Sequence, residues 1–189
     1  MSSLPAPRPD GKLDLVTTYL EMGSAPARAP HPAPKRKLAL FRAEAMPVHF
    51  YRYLYNTIGE QWLWYERRMI DDDALGAVIH DARVEIYVLY AGGVPAGYAE
   101  LDRRREGEVE LAYFGLMPDF IGQGLGRYLL DWAIDTAWQP GPRRLWVHTC
   151  NHDHPRALQT YQKAGFVAYR QDSTTIDDPR VTGVIPIRN

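Results

Sequence analysis

The run Pro118-Asp119-Phe120-Ile121-Gly122-Gln123-Gly124-Leu125-Gly126-Arg127 sets three glycines at alternate positions between a strand-like and a helix-like segment. Glycines there clear side chains away from the backbone. The first turn of the following helix has unpaired N–H groups and a partial positive charge. A diphosphate fits such a place. The same glycines would equally serve a tight turn and close helix packing with no ligand at all. A P-loop is excluded, because it needs Lys followed by Ser or Thr after the last glycine, and Arg127-Tyr128 follows here. A dinucleotide-binding unit is excluded too, because its glycines follow the first parallel strand, whereas these follow a meander.

A second constellation is His148, Cys150, His152, Asp153 and His154. Alternation puts His148 and Cys150 on one strand face and the others in a loop. No matching second ligand set has zinc-site spacing, so no metal is expected. His148 or His152 is a candidate for lining an acceptor site. Cys150 is the single cysteine, so it forms no intramolecular disulfide, and nothing in its context activates it as a nucleophile. On the strand before the glycine turn, alternation groups Glu108, Glu110 and Ala112 against Val109, Leu111 and Tyr113. The stretch Phe50–Tyr65 is rich in aromatics, which either fill the core or present one or two rings to an apolar or cationic amine.

The elements that must position these residues read as follows. Leu15–Met22 is an added strand, and Ser24–Lys37 (SAPARAPHPAPKRK) is an extended linker. Leu38–Arg42 is a strand, Met46–Gln61 a helix, and Asp71–Asp73 caps a helix through Ile79. Val84–Tyr90, Val94–Leu101 and Val109–Met117 form an antiparallel meander turned at Gly92-Gly93. A helix runs from the glycine turn to about Trp138, with Leu125, Leu129, Trp132, Ala133 and Ala137 on one face. Leu145–Cys150 is a strand, Pro155–Ala164 a helix capped by Gly165, Phe166–Arg170 a strand, and Val181–Ile187 a candidate last strand. This is a mixed α/β sheet covered by helices.

The 189 residues suit one domain with a sizeable core. A formal net charge of −1 argues against a general polyanion binder, so no nucleic-acid partner is expected. No secretion signal opens the sequence, no apolar run approaches the roughly 20 residues needed to span a bilayer, and the lone cysteine suits a reducing setting. A cytoplasmic location and no membrane partner follow as expectations.

The strand Val109–Met117, the run Ile121-Gly122-Gln123-Gly124-Leu125-Gly126 and the later Tyr161-Gln162-Lys163-Ala164-Gly165-Phe166 together resemble the GNAT acetyltransferase superfamily. The family signature is Gln/Arg-x-x-Gly-x-Gly/Ala, followed downstream by Asn-x-x-Ala-x-x-x-Tyr-x-x-x-Gly-Phe. The resemblance covers about 38–170. It implies a domain there, with 1–37 an N-terminal extension and 171–189 a tail or added strand. It also implies a GNAT fold: a mixed, mostly antiparallel sheet with helices on both faces and a splayed parallel pair, Val109–Met117 and Leu145–Cys150. Acetyl-CoA is the implied acyl donor. Its pantetheine arm is placed near Leu116, Met117 and Pro118, and its pyrophosphate on the amides of Gly122, Gln123, Gly124, Leu125, Gly126 and Arg127. Two departures stand out. Ile121 replaces the leading Gln or Arg, for which Arg127 is a candidate substitute charge. The asparagine position falls on His154, with Asn151 one turn earlier, and either is a candidate coenzyme contact. The resemblance makes Glu110 the general base and Tyr161 the acid beside the sulfur. The acceptor is then an amine on a small molecule, peptide or protein, attacked directly in a ternary complex. A non-catalytic acyl-CoA-binding module and a nucleotide-binding regulator are the competing expectations. Family members often dimerise, and the extra N-terminal strand is a candidate for that contact.

Overall fold

The computed structural model describes residues 7–29, 32–139 and 141–186. Its strands are β1 (Lys12–Met22), β2 (Leu38–Arg42), β3 (Val84–Ala91), β4 (Val94–Asp102), β5 (Glu108–Leu116), β6 (Arg144–Cys150) and β7 (Val167–Asp177). Its helices are α1 (Val48–Gly59), α2 (Glu66–Met69), α3 (Asp72–Ile79), α4 (Leu125–Trp138) and α5 (Ala157–Ala164). The seven strands form one sheet in the order β2-β3-β4-β5-β6-β1-β7. Every neighbouring pair is antiparallel except β5 and β6.

Local chemistry accounts for the element ends. Asp71 Oδ1 accepts from Ala74 N at 2.7 Å and so caps α3. Gly165 ends α5 at φ 106°, in the left-handed region that glycine enters without steric cost. The two faces of the sheet bury separate cores. Leu101, Val109, Leu111, Leu145 and Val147 pack under α4. Ile86, Val88 and Tyr98 pack under α1 and α3 with Tyr51, Leu54, Tyr55 and Ile58.

Two expectations need correcting. The strand expected as an addition, β1, lies inside the sheet, paired to β6 over Thr17–Met22 and to β7 from Lys12 to Glu21. β7 takes one of its edges along nearly its whole length, and β6 takes the other from Thr17 to Met22. The sheet therefore crosses the boundary expected at residue 38. The strand expected from Val181 is a turn, because the amides of Val181 and Thr182 both donate to Asp178 O, at 2.9 and 3.0 Å. Ile187 lies outside the described residues.

Candidate active site

The parallel strands β5 and β6 stay paired only at Glu108–Arg144, Val109–Leu145 and Glu110–Trp146. Beyond that point β5 continues along β4 to Leu116, and β6 continues along β1 to Cys150. The facing edges of Ala112–Leu116 and Val147–Cys150 are left apart, which is the splay expected of this pair. Met117 is buried and its amide donates to Ala96 O at 2.9 Å; Pro118 begins a short 3-10 turn to Phe120.

The glycine turn follows, between Phe120 and α4. Gly122 and Gly124 take φ of 81° and 77°. A Cβ added to either would meet nothing within 4 Å, so their backbone faces open space. No side chain caps the start of α4. The amides of Gly122 and Gly124 donate to no backbone carbonyl among the described residues. Leu125 is fully buried, and Gly126 sits against the Leu116 side chain. An open glycine cradle, uncapped helix amides and two freed strand edges fit a thioester donor carrying a diphosphate. The Arg127 side chain does not join them. Its Nε pairs with Asp131 Oδ2 at 2.6 Å and an amine end reaches Lys163 O, so its charge is turned along the helix.

Glu110 lies where the strands part. Its Oε1 is 3.6 Å from His148 Nδ1, and the His148 side chain is 40 % exposed. Burial depresses the imidazole, but the Glu110 carboxylate, with Glu66 and Asp153 adding, outweighs it and raises the group above its ordinary 6.5.

Alternation fails just beyond Glu110. Glu100 pairs with Tyr113 and Leu101 with Leu111, so Ala112 is an unpaired bulge residue. The bulge turns Tyr113 away from the core that holds Val109 and Leu111 and toward α1. There it meets Tyr55 at 5.0 Å and Trp64 at 5.3 Å between ring centroids, with the Arg67 guanidinium 5.2 Å from its ring. Tyr51 and Tyr55 are core residues, as the packing alternative had it, while Trp62, Trp64 and Tyr65 remain partly exposed.

Beneath this wall lies Glu100, which sequence reasoning missed. It is fully buried, accepts from Tyr51 Oη at 2.6 Å and from Arg67 at 2.9 Å. Burial pushes its carboxyl up, and Arg67 and Tyr51 pull against that. Its face on β4 was readable from alternation, but its partners on α1 and α2 were not.

Tyr161 is buried on α5 between Phe114 (6.3 Å) and Phe166 (5.9 Å). Burial, then the Asp153 carboxylate, holds its phenol well above the ordinary value of 10, so it keeps its proton. Burial and then Asp153 also push the Cys150 thiol up to about 12, which leaves no thiolate nucleophile.

Asn151 and His154 each have partners outside the glycine turn. Asn151 staples β1: its Oδ1 accepts from Val16 N at 2.9 Å and its Nδ2 donates to Asp14 O at 3.1 Å. The His152 ring also contacts Asp14 O, at 2.9 Å. The His154 ring meets Trp62 at 5.1 Å, and its Nδ1 accepts from Arg156 N. Among the described residues no group of three or more His, Cys, Asp or Glu could hold a metal. No helix among them is long and apolar enough to cross a membrane.

Known proteins share this fold. The model of the acetyltransferase (GNAT) family matches residues 46–166. The mycothiol acetyltransferase of Streptosporangium roseum is 36% identical over 90 residues, 48% of this chain and 25% of that protein. An uncharacterized N-acetyltransferase of Mycobacterium tuberculosis is 34% identical over 86 residues, 46% of this chain and 54% of that one. The chain thus spans between a quarter and about half of the curated relatives it matches. Among solved structures, spermidine N-acetyltransferase from Vibrio cholerae in complex with CoA and spermine superposes at TM-score 0.56, with 20% identity over 77% of this chain and 98% of that one. The ribosomal-protein-S18-alanine N-acetyltransferase of Escherichia coli does so at 0.57, with 19% identity over 74% and 91%. Fold and family model agree, and by them this chain belongs to the GNAT family of acetyltransferases.

Proposed function

We propose that the chain transfers acetyl from acetyl-CoA to a primary amine by direct attack, with no acyl-enzyme. The observation that carries this reading is the parting of β5 and β6 directly after Glu110, with the open glycine turn at the end of the gap.

The donor lies in the splay with its diphosphate on the amides of Gly122 to Arg127, and the backbone near Leu116 to Pro118 meets its pantetheine arm. The acceptor approaches along the wall of Trp62, Trp64 and Tyr113. Glu66 and Asp153 contribute to the negative field there, and such a field beside aromatic faces favours a cationic amine. The arriving ammonium must lose a proton before it can attack. The Glu110–His148 pair accepts it. The amine nitrogen then bonds to the thioester carbon, the carbon–sulfur bond breaks, and the thiolate leaves. The pair passes that first proton to solvent, and the surplus proton of the attacking nitrogen then leaves through it to solvent or to the departing sulfur. The raised phenol of Tyr161 makes it a hydrogen-bond donor to that sulfur rather than the source of its proton. We assign the activity to the cytoplasm, the reducing setting that the lone Cys150 suits.

The pairing of a carboxylate with an imidazole at the head of the cleft favours catalysis over a binding-only module, which needs neither group. An amine library assayed for CoA release tests the reading. We expect turnover with at least one cationic amine. Glu110→Gln should lower kcat about a hundredfold or more, and Tyr161→Phe roughly tenfold, with CoA affinity retained in both. Unchanged turnover in both variants would rule out the assigned chemistry.

A further inference from the structure

β1 and β2 occupy the sixth and first positions of the sheet, so the chain between them must cross most of its width. The connection spans 23–37, and it carries Arg28, Lys35, Arg36 and Lys37 with no carboxylate. Two of these cations fix its course along α4. Arg28 pairs with Asp131 at 3.1 Å and Asp135 at 3.2 Å, midway along the helix. Arg36 donates to Gln123 Oε1 at 2.6 Å, and its guanidinium lies 5.5 Å from the Phe120 ring. Arg28 thus sits midway along α4 and Arg36 at the glycine turn before its start.

Gln123 is pinned from both sides, since its Nε2 donates to Asp119 O at 2.5 Å. Only one guanidinium nitrogen of Arg36 is engaged by that contact, and a guanidinium has five N–H donors. The turn's own side chains bring no other free cation. Ile121, Gln123 and Leu125 are uncharged, and Arg127 is bound to Asp131. A site that holds phosphates on backbone amides alone gains from a guanidinium beside it, which is a strong, geometrically specific phosphate partner.

We propose that Arg36, held on this connection, is a donor-binding residue that contacts the phosphates of acyl-CoA and favours phosphate-bearing donors over phosphate-free thioesters. The proposal rests on reading the glycine turn as the donor's diphosphate site.

The test measures binding of CoA, dephospho-CoA and phosphate-free pantetheine to the full chain, by calorimetry or, for the weakest, ligand-detected NMR. Arg36→Gln should weaken CoA about tenfold or more and leave pantetheine unchanged, and Arg36→Lys should recover part of the loss. Arg36→Met repeats the test should the glutamine variant fold poorly. A loss that persists with dephospho-CoA assigns Arg36 to the diphosphate, and one that vanishes assigns it to the 3′-phosphate; either upholds the proposal. Wild-type CoA affinity in both neutral variants overturns it, as does an equal loss for pantetheine, which would mark Arg36 as a mere tether. A wild-type chain that binds no CoA removes the reading of the turn itself, and the proposal with it.

Discussion

At the scale of single residues, the proposed chemistry turns on the 3.6 Å contact between Glu110 and His148. The imidazole is raised above 6.5 chiefly because Glu110 opposes the effect of burial. A raised histidine stabilises the fold fully below its unfolded pKa, and that contribution is lost as pH rises through the folded value. For the proposed catalysis the sign is the reverse: the pair would accept a proton only once His148 is neutral. The acid limb of kcat/KM should therefore lie above 6.5 and mark His148. In Glu110→Gln the residual activity should show that limb at lower pH, and in His148→Asn the limb should disappear. A profile measured from about pH 5 to 9 decides this. A limb that stays put in both variants would take His148 out of the mechanism. The sequence offered Glu110 as a candidate by its place before the glycine turn, and Tyr161 by its place before Gly-Phe. The Glu110–His148 contact was not, because it joins two strands whose register appears only in the folded sheet.

At the scale of elements, what could be read was local. Asp71 announces α3 and Gly165 ends α5 because a cap bonds within a turn of itself. What could not be read depends on distant pairing. The bulge at Ala112 exists only against β4, and it reverses the side on which Tyr113 stands. The approach of α1 to the splayed strand was equally hidden. A Cβ built on Gly115 would lie 2.4 Å from Ile58 Cγ2 and 3.4 Å from the tip of Trp64. Glycine is required there for contact rather than for a special φ, and α1 rests directly on β5. Gly115→Ala should push α1 outward and cost about 1–3 kcal/mol of stability, seen as a lower urea midpoint with an unchanged m-value. The displaced Trp64 should raise KM for the amine while CoA affinity changes little, because the glycine turn is carried by α4. An alanine variant as stable as wild type would show that α1 yields without cost.

For the whole molecule, the decisive feature is the N-terminal strand between β6 and β7. Sequence reading placed Leu15–Met22 as an appendage, since nothing near it in the chain names a partner some 130 residues away. In the sheet its removal would strip β6 of one neighbour and β7 of its only one. It would also take Leu13, Leu20 and Met22 out of the core, where each is at most 5 % exposed. Burying such side chains is worth about 1.5–3 kcal/mol each, and a whole domain is stable by only about 5–15 kcal/mol. The three side chains together, about 4.5–9 kcal/mol, thus amount to a large part of that margin before any lost strand pairing is counted. A chain lacking residues 1–22 should accordingly show no cooperative urea transition by circular dichroism and bind no CoA, although every GNAT motif residue remains. Asn151→Ala, which removes only the staple at Val16 and Asp14, should keep a cooperative transition at a lower midpoint. Were the truncated chain to unfold cooperatively near the wild-type midpoint, the segment from residue 38 onward would stand as a domain by itself, with β1 merely laid against it.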